Sequence, residues 1–248
     1  MRFCGTRRAA FVALCLLAAF AAPGLAQAAD RLPDLGMARL TDLKAEKTAD
    51  GRRLLRFTTV IVNVGSGPFE VRGTRASAGE VEMATVQRIY DSAGGFRELA
   101  TSARMFFAGD GHSHWHVRDL ESSELIRLDN GTKIGTGAKF GFCFFDNVAY
   151  RLSLAGAPGA AAYLGCGTAS SLAVTMGVSV GWGDEYSWRL PNQYVDITGL
   201  AAGRYRLRVT ADAPGFFTEA SESNNATWVD LQLKGQGPPR VIAYGPAA

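Results

Sequence analysis

Three histidines, all that the chain contains, sit in one short stretch, Gly111-His112-Ser113-His114-Trp115-His116. On an extended strand, residues i, i+2 and i+4 point to one face. His112, His114 and His116 would then converge with little backbone distortion. The bland alternative is three surface histidines near a turn; inside a core, three unpaired imidazoles would be costly. Imidazole-rich sites suit copper, zinc, nickel or iron. No further histidine exists to complete the shell, which leaves water, a carboxylate such as Asp110 or Asp119, or another protein oxygen. An open position is what a catalytic metal needs, whereas structural zinc sites are usually closed by four protein ligands. Trp115 points to the opposite face of such a strand and is expected to be packed.

The segments that must position these residues read as strands. Arg53 to Val64 is rich in β-branched residues and ends at Gly65-Ser66-Gly67-Pro68, after which Phe69-Glu70-Val71-Arg72 resumes, a hairpin signal. Val86–Tyr90 and Phe96–Leu99 flank Asp91-Ser92-Ala93-Gly94-Gly95, a second hairpin. Leu125–Leu128 meets the strong turn Asp129-Asn130-Gly131 and then Thr132-Lys133-Ile134. Arg204–Thr210 alternates polar and apolar, and Ala226–Leu233 is a last strand. Short strands joined by turns in a chain with 29 glycines predict an all-β sandwich with long loops around the metal site. Residues 29–50 are expected to be partly irregular, and 236–248 a flexible tail.

The chain has 248 residues, 47% of them apolar and 20% charged, which excludes a wholly disordered protein. Its net charge of +3 is local, because the first 28 residues carry Arg2, Arg7 and Arg8 and no acid. Without them basic and acidic residues balance, so the basic stripe of a nucleic-acid binder is absent. That basic start precedes an apolar run from Ala9 to Ala22, which Pro23 and Gly24 break before Ala26-Gln27-Ala28. The run is short for a membrane span, which needs about 20 residues. The pattern is that of a secretory signal peptide over residues 1–28, with an uncleaved anchor as the alternative. The export route is Sec or, from Thr6-Arg7-Arg8, twin-arginine. The protein is thus expected to be exported, to the periplasm or beyond, with the folded domain over 29–235 and no later membrane span. Cys4 and Cys15 leave with the signal. Cys143 and Cys166, alone in an oxidising compartment, are expected to form one disulfide; two buried thiols, or a copper-ligand role for Cys143, are the alternatives.

The stretch after the histidines resembles the lysyl oxidase family. There a copper-binding H-x-H-x-H is followed some two dozen residues later by K-x-x-F-C, as Lys139-Phe140-Gly141-Phe142-Cys143 lies 23 residues after His116 here. Tyr186 precedes Asp196-Ile197-Thr198 as a tyrosine precedes the family's W-I-D-I-T segment. Gly199–Tyr205 is similar to the family's P-G-N-Y turn. Glu219, Glu222 and Ser223-Asn224-Asn225, together with Leu32-Pro33-Asp34-Leu35 and Leu54-Leu55-Arg56-Phe57, extend the likeness over roughly residues 32–233. The resemblance implies copper on His112, His114 and His116, and a lysine tyrosylquinone cofactor made from Lys139 and Tyr186. It also implies oxidative deamination of a primary amine or peptidyl lysine to an aldehyde, with O2 as oxidant and release of ammonia and hydrogen peroxide. Asp119, three residues after His116 where the family also has an aspartate, is the candidate base. This chain departs from animal members in having far fewer cysteines and no further histidines near the triplet. The competing expectation is a non-enzymatic exported copper-binding β-sandwich, which needs only the three histidines.

Overall fold

The computed structural model describes residues 28–107, 113–235 and 237–248, together with Met1. The proposed signal segment and His112 lie outside the described residues. Among the described residues the fold is all-β. In chain order the strands are β1 (Asp30–Arg31), β2 (Leu35–Met37), β3 (Thr41–Lys47), β4 (Arg53–Asn63), β5 (Phe69–Thr74) and β6 (Glu82–Asp91). Then come β7 (Phe96–Phe107), β8 (Trp115–Arg118), β9 (Glu121–Arg127), β10 (Lys133–Thr136), β11 (Gly141–Phe142) and β12 (Val148–Ala149). The last are β13 (Ala173–Val178), β14 (Trp182–Tyr186), β15 (Tyr194–Asp196), β16 (Gly203–Ala211), β17 (Ala226–Leu233) and β18 (Arg240–Tyr244). None of the helices that could cross a membrane, long and apolar, occurs among the described residues.

Three antiparallel sheets share one core, in a sandwich-like arrangement. One runs β11-β8-β7-β6-β5-β13 with β1 added to β6; a second runs β10-β9-β16-β17-β18; the third gathers β12, β14, β15, β2 and β3 around β4. Strand β4 is buried at nearly every position, as befits a strand covered on both faces. Strand β16 alternates, sending Tyr205, Leu207, Val209 and Ala211 inward to meet Phe57, Phe69, Val71 and Val229. The opening and closing of the domain are tied together by polar contacts. The Leu35 N–H donates to Glu219, Asn225 Nδ2 donates to Glu219 and Glu222, and Asn224 Nδ2 donates to Asp34 at 2.8 Å.

Two expected hairpins form, with Tyr90 opposite Phe96 and Ile126 opposite Lys133. The third does not. Gly65–Pro68 carries the chain from one sheet to another, since β4 and β5 belong to different sheets. Asn63 builds this corner: its Oδ1 accepts from the Asp34 and Gly65 N–H groups at 3.0 Å, and its Nδ2 donates to Gly67 O and Val178 O at 2.9 Å. Gly67 must be glycine, because a Cβ there would lie 1.9 Å from Arg31 O. Residues 29–50 are partly irregular, as expected, with the short strands β1 to β3 set between irregular segments.

The expected flexible tail is corrected as well. Strand β18 pairs with β17, Ala248 N–H donates to Met37 O at 3.1 Å, and Gly237 O accepts from Arg53 Nη2 at 2.7 Å. The physical reason is that β17 would otherwise present an unpaired row of backbone groups.

Replacing Asn63, which is fully buried and makes four hydrogen bonds, by alanine strands buried backbone groups. We expect a loss of about 3 kcal/mol, and so a fall in Tm of roughly 6–12 °C. Thermal unfolding followed by circular dichroism checks it; an unchanged Tm would mean that the corner does not carry the fold.

Candidate active site

His116 is the second residue of β8, 2% exposed, and faces Phe106 of β7 in register. His114 precedes the strand and is half-buried. Their Nε2 atoms lie 2.9 Å apart and their rings cross at 66°. Two nitrogens bound to one cation by bonds of about 2.0–2.1 Å at roughly a right angle would sit about 2.9 Å apart. The donor pair therefore fits adjacent positions on a tetragonal Cu(II) ion, for which neutral imidazole is a good ligand, whereas tetrahedral zinc would hold the two nitrogens about 3.3 Å apart. Among the described residues no group of three His, Cys, Asp or Glu side chains gathers at metal-binding distance. Trp115 is packed on the other side, as expected, with its indole N–H donating to Thr168 O at 2.8 Å. The neighbouring strand comes so close that a Cβ on Gly141 would lie 2.7 Å from His116 Nδ1 and from Phe106 Cζ.

Lys139 lies between β10 and β11, half-buried, on backbone pinned at both sides. Ala138 N–H donates to Tyr194 O at 3.0 Å, and Phe140 O accepts from Asp119 N–H at 2.7 Å. Its ammonium donates to Gly141 O. Tyr186 ends β14, opposite Thr59 of β4, and is buried. Its hydroxyl donates to Cys143 O at 3.0 Å, and its ring meets Phe142 edge-on at 4.9 Å. Two residues 47 positions apart in sequence are thus brought together: Lys139 Nζ is 5.4 Å from the centre of the Tyr186 ring.

The expected disulfide is present, joining Cys143 to Cys166. Its two halves hold different parts of the site. Cys166 O accepts the Trp115 N–H at 3.0 Å, at the head of the histidine strand, while Cys143 O holds the Tyr186 hydroxyl. Together His114, His116, Lys139, Cys143, Asp184 and Tyr186 line much of a cavity of about 230 Å³. Lys139 also borders a wider groove of about 410 Å³, with Asp119, Glu121 and Glu124. Asp119 itself is exposed in the β8–β9 turn with φ 59°, a left-handed conformation that aspartate tolerates.

Two buried acids were not anticipated. Asp184 is 1% exposed and accepts from Asn147 Nδ2 at 2.7 Å; burial holds its carboxyl well above the usual range, against the opposing pull of Tyr186 and Asn147. Burial likewise drives the Tyr186 phenol upward, with Asp184 and Glu121 adding to the effect. Glu121 opens β9 at 4% exposure, and burial pushes it up to about 7 although Thr59 and Lys139 favour its charged form. The inward place of Glu121 is set by the strand. Strand β9 alternates, so Glu121 shares the inward face of Ser123 and Leu125.

The lysyl oxidase family model matches residues 100–242. Lysyl oxidase homolog 3A of Danio rerio is 26% identical over 184 residues, 74% of this chain and 20% of that protein. Lysyl oxidase homolog 3 of Homo sapiens is 25% identical over 189 residues, 74% of this chain and 19% of that protein. The protein-lysine 6-oxidase of Sus scrofa is 28% identical over 129 residues, 50% of this chain and 45% of that protein. The chain thus spans about a fifth of the length of the homolog 3 proteins.

Two outcomes follow from the geometry. Gly141→Ala should push His116 aside and weaken Cu(II) binding by roughly tenfold to a hundredfold, measured by isothermal titration; unchanged affinity would contradict the close approach. The second concerns pH. Glu121 titrates near 7 in the fold but near 4.5 when exposed, so the native state holds more protons between those values. Stability must then fall as pH rises from about 4.5 to 7, by at most about 3 kcal/mol from this group. Asp212, raised to about 6, and Glu219, raised to about 9, act in the same direction. Tm measured at pH 5 and pH 8 should drop less in Glu121→Gln than in the wild type; equal drops would show that Glu121 is ionised in the fold.

Proposed function

Because the chain belongs to the lysyl oxidase family, we propose that it is an exported, copper- and quinone-dependent amine oxidase. It converts primary amines, either peptidyl lysine or small amines, to aldehydes, consuming O2 and releasing ammonia and hydrogen peroxide. The observation that carries this reading is the approach of Lys139 Nζ to 5.4 Å from the Tyr186 ring centre, in a cavity that His114 and His116 also line. His112, His114 and His116 would hold the copper. Copper held there would supply, with O2, the oxidising chemistry needed to make lysine tyrosylquinone from Tyr186 and Lys139, an electron sink that no ordinary side chain provides.

The chain's own residues do the positioning. The Cys143 carbonyl and the Phe142 ring edge fix the orientation of the tyrosine ring. The anchored backbone on each side of Lys139 limits the reach of its amine. Burial of Tyr186 and Asp184 keeps bulk water from the ring. Asp119, in the wider groove, presents an exposed carboxylate that attracts a substrate ammonium and can serve as the base that takes the substrate's α-proton. Export is supported by the signal-like start and by the disulfide, which persists in oxidising compartments.

Peptide mass mapping after incubation with copper in air tests the proposal. One species joining the Lys139 and Tyr186 peptides is expected, together with peroxide release when a primary amine is added. Tyr186→Phe should abolish both while leaving copper bound. Free Lys139 and Tyr186 peptides in copper-loaded protein, with no amine turnover, would overturn it in favour of a copper carrier.

A further inference from the structure

An amine can bond to carbon only through its lone pair, so Lys139 must lose a proton before it can join the Tyr186 ring. The groove that Lys139 borders also holds a buried carboxylate that the proposed function leaves without a task. Glu121 stands at the start of β9, on the inward face, and borders the same groove as Lys139. Its polar neighbours come from separate elements. Thr59 comes from β4, Ser123 from β9 itself, Gln193 from the segment before β15, and Lys139 from the β10–β11 connection. Asp184 and Tyr186 of β14 lie within its electrostatic reach, and Ala211 of β16 is its register partner. Asp119 shares the groove, and Asp212, after β16, is turned to the Phe216 and Phe217 N–H groups. Despite these neighbours, Glu121 Oε2 completes no hydrogen bond among the described residues, a costly state for a buried oxygen. An acceptor left open on the groove that also holds the ammonium is a place for its proton, within reach through a water in that groove.

We infer that Glu121 is the proton acceptor for Lys139 during formation of the Lys139–Tyr186 cross-link. The inference rests on the cross-linking reading above and adds one step to it. A single N–H bond of the Lys139 ammonium breaks and an O–H bond forms on the Glu121 carboxylate; no electrons leave the pair and no further reactant is consumed. The result is a neutral amine and a neutral acid, which suits a buried site better than two charges. Burial has already brought Glu121 up to about 7, so its distance from an ordinary lysine shrinks from about six units to about three. Glu121 acts on Lys139 and is not assigned contact with the amine substrate; once the cross-link has formed, this task is finished.

The test follows cross-link formation over time. Full-length protein is prepared without copper, then given Cu(II) in air at a series of pH values from 6 to 9.5, and the joined Lys139–Tyr186 peptide is quantified by mass spectrometry. The wild-type rate should rise with pH and level off above about 7. At pH 7 Glu121→Gln should be slower by about tenfold or more, with normal copper content, and its rate should keep climbing to the top of the range. Glu121→Asp should restore part of the rate and the levelling-off. A Glu121→Gln protein that cross-links at the wild-type rate and with the wild-type profile overturns the inference alone. So does equal loss at every pH with no recovery in alkali, which would mark Glu121 as a structural residue. A wild-type protein that binds copper and never cross-links overturns the proposed function and this inference together.

Discussion

The disulfide between Cys143 and Cys166 joins two parts of the chain that have little regular structure of their own. Between Cys143 and Leu172 the only strand is the two-residue β12. A stretch this long without sheet pairing has few backbone bonds to fix it, and the covalent link supplies what pairing does not. Closing a loop with a sequence separation of 23 residues stabilises by roughly 3 kcal/mol. Its influence on the site comes from the carbonyls of the two half-cystines. One accepts from the head of the histidine strand and the other from the tyrosine hydroxyl. Histidine and tyrosine sit in different sheets, and the bridge is a short connection between them.

Around that clamp the site accumulates cost. Asp184, Glu121 and Tyr186 are all buried, and for each the low-dielectric surroundings favour the uncharged form. A packed apolar cluster in the same volume would be more stable. What the arrangement offers instead is a lysine and a phenol at close quarters with acids able to hold or release protons nearby. The rest of the fold tolerates this because β4 and β16 feed Leu55, Phe57, Ile61, Tyr205, Leu207 and Val209 into the shared apolar core. Perturbed ionisation gathered in one cavity is characteristic of functional sites; here Asp184 and Tyr186 share a cavity with His114 and His116, and Glu121 lines the groove that Lys139 joins to it.

Much of this was legible in the sequence, for reasons that differ by residue. The histidine cluster stood out because the chain has no other histidine. Strands β16 and β17 were legible because alternation reports a sheet with one buried face, and their boundaries fall within a residue of the reading. Lys139 and Tyr186 carry no signal by themselves and were found only through the family resemblance, since proximity between positions so far apart is a tertiary fact. Glu121 was missed because an acid in an alternating strand reads as solvent-facing. The Gly65–Pro68 turn was misread because glycine and proline mark a change of direction without saying whether the chain returns to its own sheet or crosses to another. Pro238 and Pro239 disguised β18 in the same way, although the strand begins immediately after them.

The central claim is that the fold brings one lysine, one tyrosine and the histidine cluster into a single reactive centre. A crystal structure of the protein after loading with copper in air tests it most directly. The account predicts one copper ion held by His112, His114 and His116, and continuous density from Lys139 Nζ into the Tyr186 ring, with the Cys143–Cys166 bridge intact. Copper bound elsewhere, or bound at the histidines with Lys139 and Tyr186 separate and unmodified, would contradict it.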